Sequence, residues 1–172
     1  MNKNLVLIGM MGSGKSTIGK EISKKSILKF KDTDRLIENF EKMKIRDIFE
    51  QKGEEFFRIL EEKIVLRTIK LQGQVIALGG GSFLNKKIRS EVLKNSISFW
   101  LNWKNNVILS RISNSRKRPI LDFLDEKEII KLINSRAKIY LKANYKISCD
   151  NLNKFQVTKK ILKIYENQKN FS

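Results

Sequence analysis

No histidine occurs among the 172 residues. That removes the commonest general base and the commonest metal ligand. The single cysteine, Cys149, rules out an intramolecular disulfide and fits a reducing compartment. Its apolar neighbours read it as a strand-packing thiol. No apolar run approaches the roughly 20 residues that span a bilayer. Met1-Asn2-Lys3-Asn4 leads straight into an apolar run, so no signal peptide is expected and the expected location is cytoplasmic. One proline, Pro119, leaves few forced breaks, and no internal repeat interrupts the chain. Acidic residues are also scarce, at 18 against 36 basic ones, for a net charge of +18. Such a balance can mark a nucleic-acid binder. Here the excess is scattered over lysines on predicted helices (Lys20, Lys24, Lys25, Lys42, Lys44, Lys86, Lys87, Lys159, Lys160), with no basic tail. It reads as a composition bias that also suits anionic small molecules.

What is present begins at Leu5-Val6-Leu7-Ile8, four apolar residues followed by Gly9-Met10-Met11-Gly12-Ser13-Gly14-Lys15-Ser16-Thr17 and a helical pattern. This is strand, glycine loop and helix with the Walker A spacing G-x-x-x-x-G-K-S. Gly12, Ser13, Gly14 and Thr17 place backbone N–H groups around phosphate oxygens, Lys15 reaches the terminal phosphates, and the Ser16 hydroxyl is offered to Mg²⁺.

Four further apolar runs, 27–31, 75–78, 97–101 and 145–149, alternate with helix-period segments at 16–26, 35–41, 46–70 (broken near Gly53), 85–94, 104–113, 126–143 and 155–167. That alternation predicts an α/β fold with a parallel sheet covered on both faces. Ligands in such sheets bind beyond the carboxyl ends of the strands, and the remaining clusters lie there. Asp32-Thr33-Asp34 follows the second run. If the chain stays extended, the two carboxylates share one face, Asp32 toward Mg²⁺ and Asp34 toward an acceptor hydroxyl. The alternative is that Asp34 caps the helix at 35–41. A Walker B acid after the third run is missing, so Asp32 is the candidate for that charge. Asn85-Lys86-Lys87-Ile88 fails the guanine pattern N-K-x-D, which argues against a regulatory GTPase.

Gly79-Gly80-Gly81 suits close backbone approach to a ligand, or a flexible turn. Arg58, in the apolar stretch Phe56-Phe57-Arg58-Ile59-Leu60-Glu61, suits bidentate carboxylate binding, and equally a surface salt bridge. Arg136, within 126–143, reads in isolation as helix surface. Ser113 to Leu121, with Arg116, Lys117 and Arg118, reads as a basic loop that closes over a phosphoryl group.

In order and spacing these pieces resemble the shikimate kinase family, from Leu5 to about Leu162. The matching residues are Ser16-Thr17-Ile18-Gly19 after the loop glycines, Asp32-x-Asp34, Phe57-Arg58 to Glu61, the glycine triplet, Arg118-Pro119-Ile120-Leu121, and Arg136 with Tyr140 and Ala143. The resemblance implies a three-layer α/β/α P-loop kinase fold, with a central five-stranded parallel sheet, a small substrate-binding helical region near 33–61 and a lid near 113–124, in one domain over 1–172. It implies ATP-dependent phosphorylation of the 3-hydroxyl of shikimate, with Mg²⁺. It puts Asp34 on the acceptor hydroxyls, Arg58 and Arg136 on the carboxylate, Gly79, Gly80 and Gly81 along the acceptor, Arg118 on the ATP phosphates, and Arg111 and Asn153 beside the adenine. A monomer that binds neither nucleic acid nor membrane is expected. The rival readings are another P-loop small-molecule kinase, acting on gluconate or nucleoside monophosphates, and a nucleotide-gated nucleic-acid binder.

Overall fold

Five short strands, β1 (Asn4–Ile8), β2 (Lys29–Asp32), β3 (Gln74–Ala77), β4 (Ser96–Asn102) and β5 (Tyr145–Ser148), form one sheet in the order β2-β3-β1-β4-β5, every pairing parallel. The computed structural model describes residues 3–113 and 125–169. The helices are α1 (Lys15–Lys25), α2 (Thr33–Glu41), α3 (Ile45–Lys70), α4 (Lys86–Asn95), α5 (Asn105–Ser113), α6 (Glu126–Tyr140) and α7 (Lys154–Lys169), with a 3₁₀ turn at Ser82–Leu84.

The central strand β1 explains the layering. Alternate residues of a strand point to opposite faces. Leu5 and Leu7 join Ile18 and Ile22 of α1 and Val157, Ile161 and Tyr165 of α7 on one side. Val6 and Ile8 join Val65 and Ile69 of α3, Ile88 and Val92 of α4, and Ile133 and Tyr140 of α6 on the other. All five β1 side chains are buried, as a strand covered on both faces requires. A separate small core, Ile37, Ile48, Phe57 and Leu60, joins α2 to α3.

Several boundaries differ from the sequence reading, among them those of β2, α6 and α2. β2 begins at Lys29, two residues late, and Ile27 is left exposed ahead of it. α6 stops at Tyr140, where Lys142 and Ala143 donate to the carbonyls of Ile139 and Tyr140 in a tightened last turn. The chain does not stay extended through Asp34. It turns into α2 at Thr33, so Asp32 and Asp34 do not share a strand face. The cause is Asp32 itself: its Oδ1 accepts from the N–H groups of Asp34 and Arg35, which makes it, and not Asp34, the helix cap. The expected break in α3 is present at Gly53, whose φ of 81° and ψ of 169° are non-helical.

Candidate active site

The Walker loop closes on itself. Gly12 and Gly14 hold φ of 75° and 86°, left-handed values that glycine adopts without steric cost. The Ser13 N–H donates to the Met10 carbonyl at 3.1 Å. Lys15 Nζ is folded back onto the carbonyls of Gly9 and Met10, 2.8 Å from each. Gly14 caps α1 without a side chain, so the first-turn N–H groups meet no side-chain acceptor of the cap. Ser16 and Thr17 follow on that exposed first turn. From outside, Trp103 Nε1 donates to the Ser13 carbonyl at 2.9 Å and Arg111 Nη1 to the Gly12 carbonyl at 3.2 Å. The Arg111 guanidinium lies 3.9 Å from the Trp103 ring centroid.

Asp32 ties two elements together at the end of β2. While Oδ1 caps α2, Oδ2 accepts from the Ser16 hydroxyl at 2.5 Å. Next to it, Thr33 Oγ1 accepts from the Gly79 N–H at 2.9 Å, and donates to the Ala77 carbonyl at 3.3 Å. The end of β3 is thereby locked beside the start of α2.

The glycine triplet is where the rest converges, and its missing side chains are the reason it can. A Cβ on Gly79 would stand 2.5 Å from Asp34 Oδ1 and 3.0 Å from Glu61 Oε1. One on Gly81 would stand 2.8 Å from Arg58 Nη1. One on Gly80 would stand 3.4 Å from the Met11 backbone nitrogen and 3.6 Å from Arg136 Nη1. Real Cβ atoms do not tolerate the first and third of these distances. Asp34, Arg58, Arg136 and the Walker loop therefore surround one short backbone stretch.

The two arginines differ in their surroundings. Arg58 is one-third exposed and paired: Nη1 donates to Glu61 at 2.8 Å, while Nε and Nη2 donate to Glu54 at 3.1 and 3.0 Å. Its guanidinium also lies over the Phe57 ring at 5.2 Å. Burial works against its charge, but the carboxylates of Glu61 and Glu54 outweigh that and raise its pKa above the ordinary arginine value. Of the two readings left open by the sequence, the salt bridge is present, and the guanidinium also lies beside Gly81 of the triplet. Arg136 is only 7 % exposed, so it is not helix surface. Its Nη1 approaches Met10 Sδ at 3.7 Å, its buried Nε has no hydrogen-bond partner, and among the described residues no carboxylate pairs with it.

Two residues that the sequence names only as parts of the family pattern, with no role of their own, contribute to the site. Glu61, 3 % exposed, links Arg58 to the turn after the triplet by accepting from Ser82 Oγ at 2.7 Å. Its i,i+3 spacing from Arg58 was the available signal. The Tyr140 hydroxyl donates to the Gly80 carbonyl and so orients the triplet from α6; the signal was its position one turn after Arg136. Asn153 lies beyond β5, where Oδ1 accepts from the N–H groups of Phe155 and Gln156 and caps α7. Arg118 and the rest of the expected lid, from 114 on, lie outside the described residues. No group of three or more His, Cys, Asp or Glu side chains able to hold a metal occurs among the described residues. Nor is any helix among them long and apolar enough to cross a membrane.

Known proteins place this arrangement. A family model for shikimate kinase matches residues 11–166. The shikimate kinase of a Sulfurihydrogenibium species is 42% identical over 160 residues, covering 93% of this chain and 96% of that one. The structure of shikimate kinase from Acinetobacter baumannii in complex with shikimate superposes with a TM-score of 0.91 at 27% identity, over 98% of this chain and 96% of that one. That from Aquifex aeolicus gives a TM-score of 0.82 at 33% identity, over 96% and 97%. With its parallel P-loop sheet, its glycine triplet and the arginines around it, the chain belongs to the shikimate kinase family.

Proposed function

We propose that the protein transfers the γ-phosphoryl group of ATP to the 3-hydroxyl of shikimate. The observation that carries the acceptor is Arg136. A buried guanidinium without an anion costs several kcal/mol, and here it stands beside a backbone stretch bared of side chains. A planar carboxylate entering over Gly80 relieves that cost. Arg58, held by Glu54 and Glu61, meets the same carboxylate from α3. The carboxylate thus fixes the ring, and the hydroxyls fall toward Asp34.

Phosphoryl transfer depends on positioning and charge neutralisation more than on covalent chemistry. In this reading Lys15 leaves the Gly9 and Met10 carbonyls for the phosphate oxygens, joining the N–H groups from Gly12 to Thr17. Asp34 orients the attacking hydroxyl and accepts its proton late. Arg118 neutralises the transferring group from the lid near 113–124, and Arg111 and Asn153 flank the adenine. Ser16 and Asp32 fit Mg²⁺: both are oxygen donors, they meet at 2.5 Å, and two protein oxygens suffice for an ion that keeps waters and phosphate ligands. When bound, the ion neutralises phosphate charge. The protein acts as one domain over 1–172, with the acceptor region near 33–61, as a cytoplasmic monomer that uses no nucleic acid.

An ADP-release assay across shikimate, gluconate and the nucleoside monophosphates tests this. Turnover with shikimate alone is expected. Comparable turnover with another acceptor would replace the assignment.

A further inference from the structure

The Walker loop is gripped from outside by a stacked pair, of which the phosphotransfer reading uses Arg111 and leaves Trp103 without a task. Trp103 is the first residue after β4, and Arg111 lies in the last turn of α5. The ring covers one face of the guanidinium at 3.9 Å. Each partner then donates one hydrogen bond to consecutive loop carbonyls, Trp103 to Ser13 and Arg111 to Gly12. Gly12 permits this approach, since a Cβ there would already touch Arg111 Cβ at 3.3 Å.

We infer that Trp103 is a positioning residue for the nucleotide, acting on both the phosphate loop and the base-side arginine. Three observations support this. First, a trans peptide is planar, with C=O and N–H opposed. Holding the Ser13 carbonyl toward the indole directs the Gly14 N–H to the other side, toward the loop interior where phosphate binds. Second, Trp103 is rooted: it packs against the buried clusters on both faces of the sheet. The other tryptophan, Trp100, is buried against Tyr140 and takes no part in the grip. Third, among the described residues no carboxylate pairs with Arg111, so its guanidinium plane is oriented by the indole and the Gly12 carbonyl alone. A planar cation with one face covered presents the opposite face to a purine base. One side chain thus sets the phosphate subsite and the base subsite in fixed relation, ahead of binding. The inference rests on the reading of the Walker loop as a nucleotide site.

The test uses Trp103→Phe, which keeps an aromatic face and loses the N–H, and Trp103→Leu, which loses both. ADP binding is measured by calorimetry without acceptor, and KM for ATP and for shikimate by steady-state kinetics. Trp103→Leu is expected to raise the ADP Kd and the ATP KM about tenfold or more, and Trp103→Phe about fivefold, with the shikimate KM within about twofold of wild type. ADP should also change wild-type tryptophan emission and leave that of Trp103→Phe, where only Trp100 remains, unchanged. An ADP Kd within about twofold of wild type in Trp103→Phe, or equal rises in both KM values, overturns the inference. Trp103→Phe decides alone should Trp103→Leu not fold. Failure of wild type to bind ADP would instead sink the nucleotide reading, and a different acceptor would leave the ADP result intact.

Discussion

Arg136 combines deep burial with an unsatisfied Nε, and Arg58 combines partial exposure with two carboxylates. Their removal should therefore have different consequences. Replacing Arg136 by Met removes an unpaired buried charge and keeps most of the volume. The ligand-free protein should gain about 1 kcal/mol, while the shikimate KM rises by about a hundredfold; a thermal melt without ligand and a KM determination check both. A loss of stability in Arg136→Met would show that the guanidinium is already satisfied. Asp34→Asn should lower kcat by at least about a hundredfold with ATP binding retained, because an amide cannot accept the hydroxyl proton. Cys149 offers a test of burial. Desolvation by its buried site, and then the Asp150 charge, push its thiol up from 9.0 to about 12. The folded chain keeps a proton that the unfolded chain loses above about pH 9. The stability held by the neutral thiol is thus complete below that pH, and declines as pH rises toward 12, by at most about 1.4 kcal/mol per unit. Wild type should lose stability more steeply than Cys149→Ala across that window in denaturant titrations. At pH near 8 the native thiol should resist alkylation until the chain is unfolded.

At the level of elements, most of the site is built where a strand ends and a helix begins. Asp32 is the joint between two such places, capping α2 with one oxygen and meeting Ser16 of α1 with the other. Asp32→Ala should cost about 1 kcal/mol as a lost cap. It should also raise the Mg²⁺ concentration needed for half-maximal rate, since an oxygen near Ser16 is gone. A melt and a Mg²⁺ titration of turnover separate the two effects, and an unchanged Mg²⁺ requirement would leave Asp32 a cap only. The spacing of Asp32 and Asp34 was legible, but their division of labour was not. Whether Asp-x-Asp lies on one strand face or straddles a helix start depends on where β2 stops, and β2 stops where Asp32 finds two free N–H groups. The Gly53 break was legible because a glycine amid a long helical pattern has few other uses.

Over the whole molecule, the charge of +18 is a long-range property. A positive field favours the more highly charged of two anionic ligands, and salt screens it within about 10 Å at 0.1 M. The ATP KM should therefore rise more steeply with ionic strength than the shikimate KM, as initial-rate measurements across a salt series would show. The element order, the parallel sheet and the nucleotide loop could all be read in one dimension, because they rest on local signals: apolar runs, helical periods, glycines before Lys15. So could the candidate acceptor residues, through their order and spacing. Arg136 shows the boundary. Along the chain it is one basic residue in a polar helix, and its burial arises only when α6 packs over Met10 and Gly80, 126 and 56 residues away in sequence. The same holds for Glu61 under Ser82 and for Trp103 against Ser13, contacts that span 21 and 90 residues. Local sequence dictates which backbone forms and which side chains are available. Which of them lose water, and which charges remain without partners, is settled only when distant segments pack, because desolvation and pairing depend on neighbours in space.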